Sequence, residues 1–151
     1  MRLPMAVPNS FALASAQFGH DLRIAHPKGY ELDTDLLTEI ERHATDSGGS
    51  LEVTNDVDGA FDGVEVVYAK SWGGKQFYGR PEADMEYRAT FRSDWIVDEP
   101  KMQRTENGIF MHCLPVRRNV IVSDAVIDSP RSGKSTSERA IFSGVSGYGR
   151  F

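Results

Sequence analysis

Two stretches of the chain combine residue types that could do chemistry. The first is His112-Cys113-Leu114-Pro115-Val116-Arg117-Arg118-Asn119, where an apolar run ends in a proline-locked turn carrying two adjacent cations. Such a turn exposes main-chain carbonyls and positive charge together, so it offers hydrogen-bond acceptors and an anion partner in one place. Taken alone, two arginines at a strand end are ordinarily solvated surface groups and need no ligand. The second stretch is Lys70-Ser71-Trp72, which follows a run of branched residues. A lone lysine there ordinarily snorkels to water, and Trp72 reads as well as a loop residue packed on the core as a substrate contact.

Both stretches sit where an alternating α/β pattern puts the ends of strands. Pro8-Asn9-Ser10 supplies start chemistry for a first helix whose apolar residues Phe11, Leu13, Ala14 and Phe18 run to Gly19. Leu22 to Pro27 reads as a strand, and Asp33 or Thr34 can cap a helix with Leu36, Leu37, Ile40 and Ala44 on one face. Leu51 to Thr54 is a second strand, Asp56 to Phe61 a helical turn or two, and Val64 to Lys70 a third strand bounded by glycines. The polar, aromatic stretch from Gly73 to Ser93 reads as an irregular lid. Asp94 can cap a helix over Trp95, Ile96, Val97 and Met102, and Ile109 to Leu114 is another buried strand. Ser123 or Asp124 opens a last short helix that Pro130 stops. This alternation predicts an α/β fold, a doubly wound, mostly parallel sheet with helices on both faces, in which ligands bind beyond the carboxyl ends of the strands.

The composition is that of an ordinary soluble globular domain, with 151 residues, 40% hydrophobic and 26% charged. A net charge of -5 gives no general attraction to nucleic acid or to an anionic membrane, so any anion site must be local. The single cysteine, Cys113, excludes an internal disulfide and points to a reducing compartment, the cytoplasm. No apolar run approaches the ~20 residues needed to span a bilayer. His20, His26, His43 and His112 lack metal-ligand spacing, so no metal is expected. No strand is followed by Gly-x-Gly-x-x-Gly, and Gly133-Lys134-Ser135 lacks the earlier glycine of a phosphate loop because Asp128 stands there, so no nucleotide cofactor is expected.

The octet His112 to Asn119 resembles the His-Cys-Leu-Pro signature of the ornithine carbamoyltransferase family, in the Val-Arg-Arg-Asn form of relatives that use an acylated ornithine. Val67-Tyr68-Ala69-Lys70-Ser71-Trp72 resembles the matching stretch of the N-acetylornithine and N-succinylornithine branch, as do Leu3 to Ala12 and His26 to Asp33. Where enzymes of free ornithine carry an acid, Lys70 stands. Acylation removes the α-ammonium that wants a carboxylate partner and leaves only carboxylates to be paired. Pro4 and Ile121 lean toward the succinyl type.

The resemblance implies the Rossmann-like second domain of a carbamoyltransferase over residues 1–132, followed by a divergent, flexible tail over 133–151 in which Arg139 has no clear counterpart. It implies carbamoyl phosphate and an acylated ornithine as substrates, a step of arginine biosynthesis, a homotrimer in the cytoplasm, and neither nucleic acid, membrane nor cofactor as partner. The δ-amine of the acylornithine attacks the carbamoyl carbon and phosphate leaves. An alkyl amine has a reference pKa of ~10.4, so the site must desolvate it and orient its lone pair. By resemblance, the main-chain carbonyls at Cys113 and Leu114 contact carbamoyl phosphate and the amine, Lys70 pairs with the acylornithine beside Trp72, and Arg117 reaches a succinyl carboxylate. His112 shapes the site or is a hydrogen-bonded core histidine, rather than a general base. The family's phosphate-gripping segments, Ser-x-Arg-Thr-Arg and His-Pro-x-Gln, do not occur here, so an absent first domain and an inactive isolated chain are expected. A non-catalytic remnant that only binds an amino acid or an oligomer partner is the alternative.

Overall fold

The computed structural model describes residues 5–133. Leu3 and Pro4 of the resemblance, and the expected flexible tail with Arg139, lie outside the described residues except for the exposed Gly133. The elements run α1 (Ala6–Gln17), β1 (Asp21–Ala25), α2 (Thr34–Asp46), β2 (Ser50–Thr54), β3 (Val66–Ala69), α3 (Pro81–Ala89), α4 (Glu99–Gln103), β4 (Ile109–His112) and α5 (Asp124–Ile127). They form two compact units. One holds the described residues up to Asp62 together with Lys70–Trp95; the other holds Gly63–Ala69 and the described residues from Ile96 onward.

In the first unit, β1 and β2 pair parallel from Asp21 opposite Ser50 to Ala25 opposite Thr54. Parallel neighbours need a crossover, and α2 supplies it. Asp33 caps α2 by accepting from the Asp35 N–H at 3.1 Å, as the sequence predicts. Ile40 and Ala44, one turn apart, are fully buried against Ala12 and Ala16 of α1. The small side chains at 12, 15 and 16 present a smooth face to α2. Helix α1 begins at Ala6, earlier than the Pro8-Asn9-Ser10 start read from sequence, because Pro8 falls in the first turn, where its missing N–H leaves no gap in the hydrogen bonding.

In the second unit, β3 and β4 pair parallel, from Val66 opposite Ile109 to Ala69 opposite His112. Parallel bridges Val97 to Val122 and Phe110 to Ser132 extend the pattern. Every strand pairing among the described residues is parallel, as an α/β fold of this kind requires. Phe110, Val122 and Ile127 are buried at its core with Val97, Met102, Ile121 and Val126.

Two elements differ from the sequence reading. Asp94 does not cap a helix over Trp95 to Val97; Asp98 caps α4, accepting from the Lys101 N–H at 3.1 Å. Val97 is held in extended pairing by Ile121 O and Ser123 N, both at 2.9 Å, so the helix can begin only after it. The stretch from Gly73 to Ser93 is not irregular throughout, since α3 occupies nine of its residues. Pro81 at its first position, Glu82 and Asp84 in the first turn and Arg88 in the last are helix-end chemistry. Apolar periodicity missed it because the contacts of α3 are made by Tyr87 and an ion pair.

Candidate functional site

The parallel register of β3 and β4 sets Ala69 opposite His112, and the two strands are followed in sequence by Lys70 and by Cys113. Lys70 is half-buried, and its ammonium makes no ion pair with an acidic group among the described residues.

His112 is half-buried at the end of β4. The Cys113 thiol is also half-buried and lies beside the Tyr68 hydroxyl. Tyr68 pairs with Met111, so the two-residue period of the strands puts Tyr68 and Cys113 on one face of the ladder. Burial raises the Tyr68 phenol above its ordinary range, and the contact with Cys113 raises it further.

Leu114 has φ 32°, a left-handed conformation unusual for a branched side chain, and the peptide to Pro115 is cis. Holding such a residue there costs about 1 kcal/mol, and outliers of this sort collect at ligand clamps. Leu114 is 47% exposed.

The two arginines, inseparable in sequence, part company here. Arg118 is taken up by the fold: its guanidinium bonds Asp128, at 3.0 Å from Nη1 and again from Nη2, and Asp124 at 2.5 Å from Nε. Hydrogen bonds to Asp128 and then Asp124 hold it more firmly protonated than an ordinary arginine. Asn119, at φ 56°, completes the lock by donating from Nδ2 to Asp124 at 2.8 Å and accepting the Asp124 N–H at 3.0 Å. The Asp124 carboxyl is held below its usual range by Asn119 first and Arg118 second. Arg117 is exposed and its guanidinium has no partner among the described residues, while its carbonyl accepts Val120 N at 3.3 Å and Ile121 N at 3.0 Å. The backbone of Arg117 is fixed while its charge is left available.

Trp72 is packed in an aromatic cluster of the first unit, with ring centroids 5.6 Å from Phe91, 6.0 Å from Trp95 and 6.1 Å from Tyr30. Its carbonyl accepts from Arg88 Nη2 at 2.7 Å. Arg88 in turn pairs with Asp84, which accepts the Tyr30 hydroxyl at 2.6 Å. Sequence reasoning passed over Tyr68, Asp84, Arg88 and the Arg118 lock; the four-residue spacing of Asp84 and Arg88 was a legible sign of an ion pair on a helix. A depression of about 220 Å³ lined by Pro27, Lys28, Asn55, Tyr87, Phe91 and Trp95 lies in the same unit, just past the last residues of β1 and β2. Among the described residues no group of three or more His, Cys, Asp or Glu could hold a metal, and no helix is long and apolar enough to cross a membrane.

Residues 5–136 match the Asp/Orn binding domain of aspartate/ornithine carbamoyltransferase. The chain belongs to this carbamoyltransferase family. It is 44% identical over 129 residues to the N-acetylornithine carbamoyltransferase of Xanthomonas campestris pv. campestris, a match covering 85% of this chain and 38% of that protein. It is 41% identical over 132 residues to the N-succinylornithine carbamoyltransferase of Bacteroides fragilis, covering 86% of this chain and 36% of that protein. A crystal structure of acetylornithine transcarbamylase complexed with acetylcitrulline aligns with a TM-score of 0.80 at 43% identity, over 87% of this chain and 40% of that one. Another, of an N-acetyl-L-ornithine transcarbamylase variant complexed with carbamyl phosphate and N-succinyl-L-norvaline, aligns equally well. The chain thus spans well under half the length of these relatives, and the carbamoyltransferase domain it represents is the one named for binding the amino acid.

Proposed function

We propose that this domain holds an acylated ornithine, N-succinyl- or N-acetyl-L-ornithine, for transfer of a carbamoyl group from carbamoyl phosphate to its δ-amine, in arginine biosynthesis. The observation that carries the reading is the register of β3 and β4: the two family segments end opposite one another at Ala69 and His112. Lys70 pairs with a carboxylate of the acylornithine, beside Trp72. The carbonyls of Cys113 and Leu114 accept from the carbamoyl NH2 and from the attacking amine. They thereby orient its lone pair toward the carbamoyl carbon, while desolvation in the site favours the neutral form that attacks. His112 shapes this turn. Arg117 takes the terminal carboxylate of a succinyl group, a reading supported by the engagement of its neighbour Arg118 with Asp124 and Asp128. The resemblance also carries the assembly, a homotrimer, and the compartment, the cytoplasm.

Calorimetric titration of the chain with N-succinylornithine, N-acetylornithine and ornithine tests this. Lys70→Ala should weaken both acylated ligands about tenfold or more, the size of a lost charge-assisted hydrogen bond. Arg117→Ala should weaken the succinyl ligand alone. Affinity for acylornithines indifferent to both substitutions rejects the residue roles.

A further inference from the structure

Helix α3 carries an ion pair that does more than staple a helix. Arg88 Nε donates to Asp84 Oδ1 at 2.9 Å and Nη2 lies 2.6 Å from Asp84 Oδ2, a forked pairing one turn apart. The same Nη2 donates to the Trp72 carbonyl at 2.7 Å, sixteen residues away in the chain. Asp84 Oδ1 also accepts the Tyr30 hydroxyl at 2.6 Å, and the Arg88 guanidinium carbon stands 5.4 Å from the Tyr30 ring centre. Both charged side chains are four-fifths or more buried, and Tyr30 is 3% exposed. A guanidinium held on three sides in this way has little freedom, and its hold on the one main-chain oxygen it reaches is correspondingly rigid.

That oxygen lies two residues after Lys70. A strand end followed by Ser71 and the Gly73-Gly74 pair has no regular pairing to define its course. The segment must therefore be fixed by tertiary contacts, among them the Trp72 ring in its aromatic cluster and the Trp72 carbonyl on Arg88. We infer that Arg88 is a positioning residue for the amino-acid site: with Asp84 and Tyr30 it anchors the Lys70–Trp72 segment to α3 and so sets where the Lys70 ammonium is presented. The inference rests on the proposed role of Lys70 and deepens it. It assigns the aromatic stretch after Lys70, which reads from sequence as a lid, the part of a support.

Arg88→Lys separates positioning from a merely structural ion pair. A single ammonium can keep the partnership with Asp84 but cannot at once span the carboxylate fork and the Trp72 carbonyl. Two measurements on the full chain decide. Hydrogen exchange without ligand reads the hold directly: in Arg88→Lys the amides at 71–74 should exchange about tenfold faster, with α2 and β2 protected as before. Unchanged exchange at 71–74 overturns the inference, whatever binds. Titration with N-succinylornithine reads the consequence: affinity should fall about tenfold in Arg88→Lys, and the ligand-induced change in tryptophan emission should shrink, while the exposed control Arg42→Ala matches wild type. Binding to Arg88→Lys as tight as to wild type overturns the inference. Failure of the wild type to bind any acylornithine strikes the role of Lys70, and with it the positioning role, and the exchange data then distinguish that outcome from a faulty account of Arg88. If Arg88→Lys proves unstable, Tyr30→Phe loosens the same anchor from the other side of Asp84 and should raise exchange at 71–74 in the same direction.

Discussion

Removing one hydroxyl from Tyr30 should produce a stability loss that vanishes at high pH. In Tyr30→Phe the ring keeps its neighbours, with centroids 5.7 Å from Phe77, 5.8 Å from Phe91 and 6.0 Å from Tyr87, so no cavity opens. What goes is the 2.6 Å hydrogen bond to the Asp84 carboxylate. Bonds to charged groups contribute about 1.5–3 kcal/mol, and the low end applies because Arg88 still satisfies Asp84, so the loss near neutrality is about 2 kcal/mol. Burial, then the hydrogen bond to Asp84 and its negative charge, raise the Tyr30 phenol above its ordinary value of 10.0. Below pH 10 Tyr30 is neutral in both folded and unfolded chains, and its contribution is fully present. Above pH 10 the unfolded chain releases a proton that the folded chain keeps, so wild type loses up to ~1.4 kcal/mol per pH unit from this group, which the variant does not. A gap of about 2 kcal/mol therefore closes within about 1.5 pH units above pH 10. All other groups contribute alike to both proteins. Urea unfolding followed by tryptophan emission is the assay, since both tryptophans, Trp72 and Trp95, stand in the same unit as Tyr30. A gap that stays constant from pH 7 to pH 11 would refute the account of Asp84 and Tyr30 as a charge-assisted pair.

Cys113 is the single thiol of the chain, so alkylation reports on it alone. Iodoacetamide should modify it more slowly in the folded chain than in urea, and Tyr68→Phe should speed the folded reaction roughly fivefold, the equivalent of one neutral hydrogen bond; equal rates in the two proteins would mean that Tyr68 does not restrain the thiol. Phe110, 2% exposed and opposite Val67 in the ladder, is the core of the strand that delivers Cys113. Phe110→Ala should cost about 3–5 kcal/mol, with loss of amide protection across β3 and β4 in hydrogen exchange; a loss under 1 kcal/mol would show that the ladder is held by something other than this ring.

Local chemistry decided what could be read from the chain itself. The caps at Asp33 and Ser123 act over three residues, the runs at 22–27, 51–54 and 109–114 are branched or apolar enough to admit little but a strand, and α2 shows its buried face in Ile40 and Ala44. Lys70 and the His112 to Asn119 octet are singled out by their resemblance to carbamoyltransferase motifs, since by type alone a lysine or an arginine pair at a strand end is an ordinary surface group. Tertiary structure alone decided the rest. Arg117 and Arg118 are identical neighbours in sequence, and only the fold, by bringing Asp124 and Asp128 to one of them, leaves the other's charge available. Val97 belongs to a strand-like bridge because Val122 comes beside it, twenty-five residues on. Arg88 reaches Trp72 because α3 turns it inward, a contact that no period or propensity encodes. Caps and periods act within a few residues and leave their mark on the sequence. Which charge meets which carboxylate depends on long-range chain placement, which no short stretch of residues carries.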